Sequence, residues 1–299
     1  MVIVYQILLE TLHLLKPPQL QNLKILKSGK KVGIANKECI ISLGSNFNKL
    51  SKKYSTEVVP LDSEHNSIYH LLNKGFGRYK SITITASGGP FMNLTLQQLK
   101  KVTLKQAINH PVWSMGKKIS IDSATMMNKI FEVIEAIKLF NLKPKQVDIL
   151  IHPISYIHAI INFNNGLTKL LAHDTTMEVP LANALYFSQN KYKYNNSNFD
   201  YQKLNGQNFI KPDLKKFPLL KILDYKFDNT YLEIILVSLN DALVKKYLEN
   251  KITYITIHNS MLEMLKKKYF KKYYSLRPKN LNDVKIMVKK VNQYVDQHF

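Results

Sequence analysis

The chain has 299 residues, of which 45% are hydrophobic, and a formal net charge of +22. This composition excludes a disordered protein and is sufficient for one large core or for two or three domains. Its single cysteine, Cys39, excludes an intramolecular disulfide and a cysteine-based zinc site, which favours a reducing, cytoplasmic location. The sequence contains no apolar run long enough to cross a bilayer, and the apolar start at residues 1–16 lacks the features of a signal peptide.

The positive charge has two interpretations. Lysines are spread along the whole chain together with many Asn, Ile and Tyr residues, a bias that A/T-rich codons would produce without any function. The densest run, Lys266 to Lys272 with interleaved aromatic residues, could bind an RNA backbone, but such runs are more often the solvated face of a helix. We therefore do not expect a nucleic-acid partner.

The predicted elements change character along the chain. Residues 1–57 contain two helical patterns and a short strand at Lys31–Ile34, and polar, Asn-rich sequence from Asn190 to Asn208 predicts a connection. Between them, strands alternate with helices, which predicts a mixed α/β sheet. Beyond Pro212 the pattern is helical. The predicted strands of the middle region are Val58–Leu61, Ser81–Thr85, Lys118–Ile121, Val147–Ile151 and Ala159–Phe163, and the predicted helical stretches of the tail are Thr230–Leu248, Ile257–Leu265 and Val284–Val295.

A polar cluster, LDSEHN at residues 61–66, follows the first strand of the middle region. It has an ordinary interpretation as a helix start, because Asp62 or Ser63 can cap free N–H groups and Glu64 suits the first turn. Strand ends in α/β folds are also where ligands bind. Both interpretations remain open on this segment alone.

The segment Ile121 to Ala136 predicts one helix with Asp122-Ser123 as its N-cap. Its polar residues Asn128, Lys129, Glu132 and Glu135 are three or four apart and therefore share a stripe. This stripe could be solvent-exposed and joined by salt bridges. Alternatively, it could face a site that holds an anion at the helix N-terminus together with a cation.

Two loop motifs lie between these segments. TASGGP at residues 85–90 follows a strand and places Ser87 on a glycine turn, where backbone can approach a ligand closely. NHPVWSMG at residues 109–116 contains the only tryptophan, Trp113, which is either a core or interface residue or part of a lid over a substrate.

Six motifs in order resemble one enzyme family. The motifs ANKE at 35–38, LDSEHN at 61–66, TASGGPF at 85–91, HPVWSMGKKISIDSATMMNK at 110–129, EVIEA at 132–136 and HPISYIHA at 152–159 are similar to those of the 1-deoxy-D-xylulose 5-phosphate reductoisomerases. Each motif alone would be weak, but six in the right order are specific. The resemblance runs from about residue 20 to 190 and continues more faintly into the helical tail.

The resemblance implies an NADPH-dependent enzyme that isomerises and reduces 1-deoxy-D-xylulose 5-phosphate to 2-C-methyl-D-erythritol 4-phosphate for isoprenoid synthesis by the non-mevalonate route. In this family one Mg²⁺ or Mn²⁺ chelates the ketone and hydroxyl oxygens of the substrate and stabilises the charge that develops during rearrangement. The family is typically homodimeric. The matching metal ligands are Asp62, Glu64 and Glu132.

The resemblance also implies roles for other positions. The phosphate-binding residues of the family match Ser87, His110, Ser123, Asn128 and Lys129. Ser63 and Lys37 match substrate contacts. The catalytic residues that the resemblance implies are Lys37, Glu64 and Glu132. Positions near the nicotinamide match Asn36, Glu38 and Gly116, and the closing flap matches Trp113 and Met115.

Three departures from the family pattern carry expectations. Ile130 replaces a glycine and Ile154 replaces a glutamine, and we expect a β-branched side chain beside a metal ligand to crowd the site. Thr175 to Glu178 replace a segment of the type PDMR, which weakens any inference about the usual dimer contacts.

The family's glycine-rich turn of the form GxTGxxG, which holds the NADPH phosphates, has no counterpart here, and Gly75-Phe76-Gly77 is the nearest glycine pair. We therefore expect an N-terminally truncated member with weak NADPH binding and little turnover by itself. The alternative is an inactive remnant that is retained as a binding or interaction protein.

The expected fold class is α/β, with four parts. Residues 1–57 form the remnant of a Rossmann-like cofactor domain, and residues 58–190 form an α/β catalytic domain for metal and substrate. Residues 191–210 form a connecting segment, and residues 211–299 form a C-terminal helical domain.

Overall fold

The computed structural model describes residues 27, 31–72, 77–186, 194 and 201–299. The apolar start of the chain, the pair Gly75-Phe76 and most of the predicted connection at residues 190–208 lie outside these ranges. The two helical patterns predicted in the first 57 residues fall partly outside them as well.

A two-stranded parallel sheet opens the described chain. Strand β1 (Val32–Ile34) leads into helices α1 (Lys37–Leu43) and α2 (Ser45–Lys53), and the chain returns as strand β2 (Val58–Pro60). Val32 pairs with Val58 and Ile34 with Pro60. Both strands are short apolar runs, as the sequence predicts, and the connection through helices makes the pairing parallel.

A four-stranded mixed sheet forms the middle of the fold. Its order is β4-β3-β5-β6, with β3 parallel to β4 and antiparallel to β5, while β5 and β6 are antiparallel. The strands are β3 (Tyr79–Ala86), β4 (Val147–Ile151), β5 (Ile157–Phe163) and β6 (Thr168–Ala172). The helices around the sheet are α3 (Ser63–Leu72), α4 (Leu96–Leu99), α5 (Leu104–Ile108), α6 (Lys117–Ala124), α7 (Met127–Leu139) and α8 (Glu178–Tyr186), with a 3₁₀ turn at Pro144–Gln146.

The C-terminal part is helical, which confirms the sequence-based expectation. After 3₁₀ turns at Tyr201–Leu204 and Pro218–Asp224 come helices α9 (Tyr231–Leu248), α10 (Tyr254–Met264), α11 (Lys268–Lys271) and α12 (Leu281–Asp296). Thr230 begins α9 with a capping box that includes Glu233. Among the helices of the described residues, none combines the length and the apolar character needed to cross a membrane.

Helix α7 lies between the two largest core clusters. Its Phe131 and Ile134 pack in a cluster that also contains Leu236 and other side chains of the C-terminal helices. Its Val133 and Ala136 pack in a second cluster beneath the four-stranded sheet. Because α7 is held on both sides, the polar side chains near its start have fixed positions.

The structure corrects two sequence-based predictions. Lys118–Ile121 is not a strand but part of helix α6. Its polar and apolar residues alternate as in a strand, but the adjacent residues Ser120 and Ile121 are both buried, so the burial does not alternate. The predicted helix over Ile121–Ala136 is two helices, since Met126 adopts the left-handed φ of +63° and ends the run. Asp122 and Ser123 therefore lie in the last turn of α6 and cap nothing.

Strand β6 was not predicted from the sequence. Its residues, TKLLA, lack a clear alternation of apolar and polar residues, and its exposure alternates at the edge of the sheet. The short length and edge position explain why the periodicity carries little signal.

Candidate active site and metal centre

Three carboxylates converge where β2, α3 and α7 meet. The chain leaves β2 at Pro60 and begins α3 at Ser63, which places Asp62 and Glu64 at the junction of strand and helix. Glu132 comes from α7, and one carboxylate oxygen from each residue lies within 4.8 Å of the others. The side chains are 13%, 14% and 1% exposed, respectively. The expectation that these three carboxylates share a site agrees with this geometry.

Two ammonium groups lie among the carboxylates. Lys37 Nζ lies 2.5 Å from Asp62 Oδ2 and 3.2 Å from Glu132 Oε1. Lys129 Nζ lies 2.6 Å from Glu64 Oε1 and 2.5 Å from Glu132 Oε2. Glu132 therefore contacts both lysines. The polar stripe on α7 is a buried network, so the alternative of a solvent-exposed stripe is wrong.

The charges of this cluster do not balance. Three carboxylates face two ammonium groups, and burial together with the nearby carboxylate of Glu132 raises the pKa of Glu64 to about 7. Burial acts on the pKa of Asp62 in the same direction, but the Lys37 ammonium outweighs it and holds that pKa well below its usual value. An all-oxygen donor set with an excess of negative charge fits a hard divalent cation such as Mg²⁺ or Mn²⁺.

His65 and Glu135 lie beside the carboxylates of Asp62, Glu64 and Glu132. His65 Nε2 lies 2.9 Å from the backbone oxygen of Glu132, and its Nδ1 lies 3.5 Å from Glu135 Oε2 and 4.0 Å from Asp62 Oδ1. Although burial favours the neutral ring, these carboxylates raise the pKa of His65 to about 9. The protonated ring therefore places a positive charge beside Glu135 and Asp62.

A cluster of neutral donors surrounds His110. Its Nε2 lies 3.0 Å from Ser87 Oγ and 3.1 Å from Ser123 Oγ. Gly89 N also donates to Ser87 Oγ, at 3.1 Å. Gly89 has φ +69°, and a Cβ there would lie 2.9 Å from the Ser123 oxygen, so the glycine turn packs closely on the end of α6. The structure thus brings together three of the five predicted phosphate-binding residues.

The other two predicted phosphate-binding residues face the carboxylates. Asn128 Oδ1 accepts from Lys37 Nζ at 2.8 Å, and Asn128 Nδ2 donates to Glu132 Oε1. Lys129 Nζ also donates to the backbone oxygen of Thr85 at 2.5 Å, two residues before Ser87. Lys129 therefore lies between the carboxylates and the strand end that carries the neutral cluster. The predicted substrate contact Ser63 donates to Glu64 Oε2.

The predicted flap is an irregular segment, as expected. Trp113 N and Val112 N donate to His110 Nδ1 at 2.9 and 3.2 Å, and the Trp113 ring meets the His158 ring edge-on at 6.1 Å. Trp113 and Met115 are half-buried. The tryptophan therefore lies against the sheet strand β5 and is not a core residue.

The three positions predicted near the nicotinamide lie at two helix starts. Asn36 Oδ1 accepts from Cys39 N and caps α1, and Gly116 is the N-cap of α6. Glu38 contacts Lys118, whose Nζ lies 2.6 Å from Glu38 Oε1. Burial disfavours ionised Glu38, but the Lys118 ammonium and further hydrogen bonds keep its pKa below the usual value. No role for Lys118 was predicted from the sequence.

The expected crowding by Ile130 does not occur. Its side chain is fully buried in the largest core cluster, and it lies two positions from Glu132, which places the two on opposite sides of α7. Ile154 is half exposed.

Comparisons with known proteins agree with this geometry. Residues 58–140 match the family model of the 1-deoxy-D-xylulose 5-phosphate reductoisomerase C-terminal domain, and residues 173–294 match a second model described as the DXP reductoisomerase C-terminal domain. A relative named 1-deoxy-D-xylulose 5-phosphate reductoisomerase from Pelagibacter ubique is 48% identical over 91% of this chain and 70% of its own length. One from Sulfurihydrogenibium is 41% identical over 81% of this chain and 64% of its own length.

Solved structures give the same result. A DOX-P reductoisomerase in complex with NADPH, fosmidomycin and magnesium is 33% identical, with a TM-score of 0.84 over 92% of this chain and 71% of that one. The Zymomonas mobilis 1-deoxy-D-xylulose 5-phosphate reductoisomerase in complex with NADPH is 29% identical, with a TM-score of 0.81 over 93% of this chain and 71% of that one. The chain thus spans about two thirds of the length of its curated relatives. It belongs to the 1-deoxy-D-xylulose 5-phosphate reductoisomerase family of NADP-dependent oxidoreductases.

Proposed function

We propose that this chain carries the metal and substrate site for the conversion of 1-deoxy-D-xylulose 5-phosphate to 2-C-methyl-D-erythritol 4-phosphate with NADPH as reductant. The observation that supports this most directly is the convergence of Asp62, Glu64 and Glu132 around two lysines. A purely structural cluster would have no reason to collect three carboxylates with excess negative charge inside the protein.

Asp62, Glu64 and Glu132 would hold one Mg²⁺ or Mn²⁺. When bound, such an ion would polarise the substrate carbonyl and stabilise negative charge on its oxygen. Lys37 holds the pKa of Asp62 well below its usual value and contacts Glu132, and it lies close enough to this pair to reach a substrate oxygen there. Ser63 orients Glu64 through its hydroxyl. We therefore assign the catalytic roles to Lys37, Glu64 and Glu132.

The neutral cluster would bind the substrate phosphate. Ser87, His110 and Ser123 offer hydroxyl and imidazole protons at one place, and Asn128 and Lys129 border it on the carboxylate side. Burial lowers the pKa of His110 to about 4, so the ring acts as a neutral donor at physiological pH. The single ammonium of Lys129 supplies the counter-charge.

The cofactor edge would consist of Asn36, Glu38 and Gly116. These residues lie at the starts of α1 and α6, and Lys118 in the first turn of α6 contacts Glu38. The loop that contains Trp113 and Met115 would cover the substrate and exclude water during hydride transfer. Its backbone is already fixed to His110, which supports a role for the loop at the phosphate end.

We also propose that the protein is a homodimer in the cytoplasm and has no nucleic-acid partner. The proposed domain division is the one given above, with boundaries at residues 57, 190 and 210. Strand β6 is an edge strand of the four-stranded sheet and exposes Leu170, with Leu167 exposed just before it. Natural proteins seldom leave an apolar edge strand uncovered, which supports a partner at this edge.

The test is oxidation of NADPH by the purified chain, followed by absorbance, with and without substrate and Mg²⁺. Because this chain is expected to bind NADPH weakly, we expect little oxidation by itself, and what oxidation occurs should require both substrate and Mg²⁺. Binding of fosmidomycin only in the presence of Mn²⁺, measured by calorimetry, would support the metal and substrate site even where turnover is slow. A chain that binds neither the metal nor fosmidomycin would contradict the proposal and favour the alternative of an interaction protein.

A further inference from the structure

Lys118 joins three separate helices through one ammonium group. Its Nζ lies 2.6 Å from Glu38 Oε1 on α1, 3.1 Å from Asp122 Oδ2 on its own helix α6, and 3.0 Å from Asp241 Oδ1 on α9. The other carboxylate oxygen of Asp122 accepts a hydrogen bond of 2.8 Å from Asn240 Nδ2. An ammonium group has three protons to donate, so the three carboxylates use its full capacity.

Helix stability accounts for only one of these contacts. Lys118 and Asp122 are four residues apart, and such pairs stabilise an isolated helix by about 0.2–0.5 kcal/mol. Glu38 and Asp241 come from elements far away in the sequence. Because the Lys118 side chain is only 15% exposed, its ion pairs are less screened by water than pairs on the surface.

Lys118 also lies between two parts of the proposed site. Helix α6 starts after Gly116 at the cofactor edge, and its last turn carries Ser123 of the phosphate cluster. Glu38 faces Lys118 from α1, directly after Lys37. A change in the position of Lys118 would therefore shift the Glu38 carboxylate relative to Gly116.

Asn240 and Asp241 attach α6 to the C-terminal helix α9. They are adjacent residues of α9, and both contact α6, one through Asp122 and the other through Lys118. The side chain of Asn240 is fully buried, whereas that of Asp241 is 49% exposed. Asp241 can therefore be changed without opening the core.

We propose that Lys118 is a positioning residue, which holds the Glu38 carboxylate at the cofactor edge and links that edge to the C-terminal helices through Asp241. The inference rests on the proposed function for the role of Glu38. It predicts that a substitution on α9 speeds hydrogen exchange at the start of α1, although α9 contributes no residue to the proposed cofactor edge.

The experiment compares four variants of the full chain. Lys118→Gln removes the charge, Lys118→Arg retains it, and Asp241→Asn removes only the contact from α9. Lys117→Gln is the matched control, because Lys117 is the preceding residue and is exposed. The measurements are hydrogen exchange of the backbone amides of α1, the dissociation constant of NADPH by fluorescence, and the affinity for Mn²⁺ by calorimetry.

We expect Lys118→Gln to speed exchange in α1 and to raise the NADPH dissociation constant by about tenfold, the scale of one lost charged hydrogen bond. Asp241→Asn should act in the same direction and more weakly, Lys118→Arg should retain most of the affinity, and Lys117→Gln should match the wild type. Mn²⁺ affinity should stay within about twofold in all four variants, because the lysine does not touch the metal ligands.

Unchanged α1 exchange in Lys118→Gln would overturn the positioning role. A loss of Mn²⁺ affinity as large as the loss of NADPH affinity would also overturn the positioning role, because such a result would show a general loss of structure. A silent Asp241→Asn variant would overturn the link to the C-terminal helices. If the wild-type chain binds no NADPH, the proposed function fails at the cofactor edge, and the exchange data still decide whether Lys118 holds α1.

Discussion

Trp113 N donates a hydrogen bond of 2.9 Å to His110 Nδ1, so the backbone of the proposed flap is attached to the ring that faces Ser87 and Ser123. Val112 N donates to the same nitrogen at 3.2 Å. A nitrogen that accepts backbone N–H groups carries no proton, so the neutral ring has its proton on Nε2, toward the two serines. One histidine thus connects the loop that contains Trp113 with Ser87 and Ser123, the proposed phosphate-binding serines.

This connection can be tested with the fluorescence of Trp113, which is the only tryptophan of the chain. In His110→Asn, the amide oxygen can replace Nδ1 as acceptor, but the shorter side chain cannot reach the serines. We expect nearly unchanged emission and an affinity for fosmidomycin that is about fivefold weaker, the scale of one neutral hydrogen bond. His110→Leu should alter both the emission and the affinity. Wild-type emission in His110→Leu would show that the flap does not depend on His110.

The proposed metal site gives the second prediction. Glu64→Gln keeps the size of the side chain but removes one of three negative charges, so Mn²⁺ binding measured by calorimetry should be lost while the fold remains. The control is Glu263→Gln, because Glu263 is 67% exposed and pairs with Lys267 in the C-terminal helices. Unchanged Mn²⁺ affinity in Glu64→Gln would mean that the carboxylates pair with the lysines and cap the start of α3, and do not bind a metal.

Much of this site could be predicted from the sequence because its residues lie in short ordered motifs. The strand end before Asp62 and the spacing of Asn128, Lys129 and Glu132 on one helix depend on local periodicity, and both are present in the structure. The role of Asp122 could not be predicted in this way. Asp-Ser before an apolar run is typical of an N-cap, yet Asp122 pairs with Lys118 and Asn240, and the left-handed Met126 separates the two helices.

The features of the site that could not be predicted from the sequence depend on contacts between distant elements. His65 belongs to the motif LDSEHN at residues 61–66, but its contacts with Glu135 and with the Glu132 backbone depend on the packing of α3 against α7. Likewise, Lys118 meets Asp241 only because α6 packs against α9. No local pattern carries this information, since the sequence period gives the face of a helix and not its neighbour.

Phosphate recognition can be separated from general basicity with two lysines. Lys129 is 6% exposed and borders the phosphate cluster, whereas Lys267 is 47% exposed and pairs with Glu263. Lys129→Ala should weaken fosmidomycin binding by about 1.5–3 kcal/mol, the value for a charged hydrogen bond, and Lys267→Ala should have no effect. Equal losses in both variants, together with a steep dependence on salt, would indicate a diffuse polyanion surface.

Stability at mildly acidic pH gives the fourth prediction. Burial lowers the pKa of His258 to about 4, whereas an unfolded histidine titrates near 6.5. The unfolded chain therefore binds more protons between these values, so the free energy of unfolding should fall as the pH drops below about 6.5. His258→Gln should reduce this slope by up to about 1.4 kcal/mol per pH unit, measured by urea unfolding between pH 6 and 5. An identical slope in the two proteins would mean that His258 is protonated in the folded state.

A buried ion pair holds the end of α7 against the C-terminal helices. Lys138 Nζ lies 3.0 Å from Glu233 Oε1 and 2.8 Å from Asn229 Oδ1, and the two charged side chains are 5% and 1% exposed. In Lys138→Met, the Glu233 carboxylate remains buried without its counter-charge, so the free energy of unfolding should fall by about 3–5 kcal/mol.

The exposed pair Arg277 and Asp228, with an N to O distance of 2.7 Å, gives the matched control. Arg277→Met should cost at most about 1 kcal/mol, because water screens this pair and both side chains are mobile enough to lose entropy on pairing. Urea unfolding of the two variants measures the difference. Since α7 also carries Asn128, Lys129 and Glu132, Lys138→Met should in addition weaken Mn²⁺ binding at 25 °C, whereas Arg277→Met should not. Equal stabilities for the two variants would show that the contact between α7 and α9 depends on apolar packing alone, without a contribution from the ion pair.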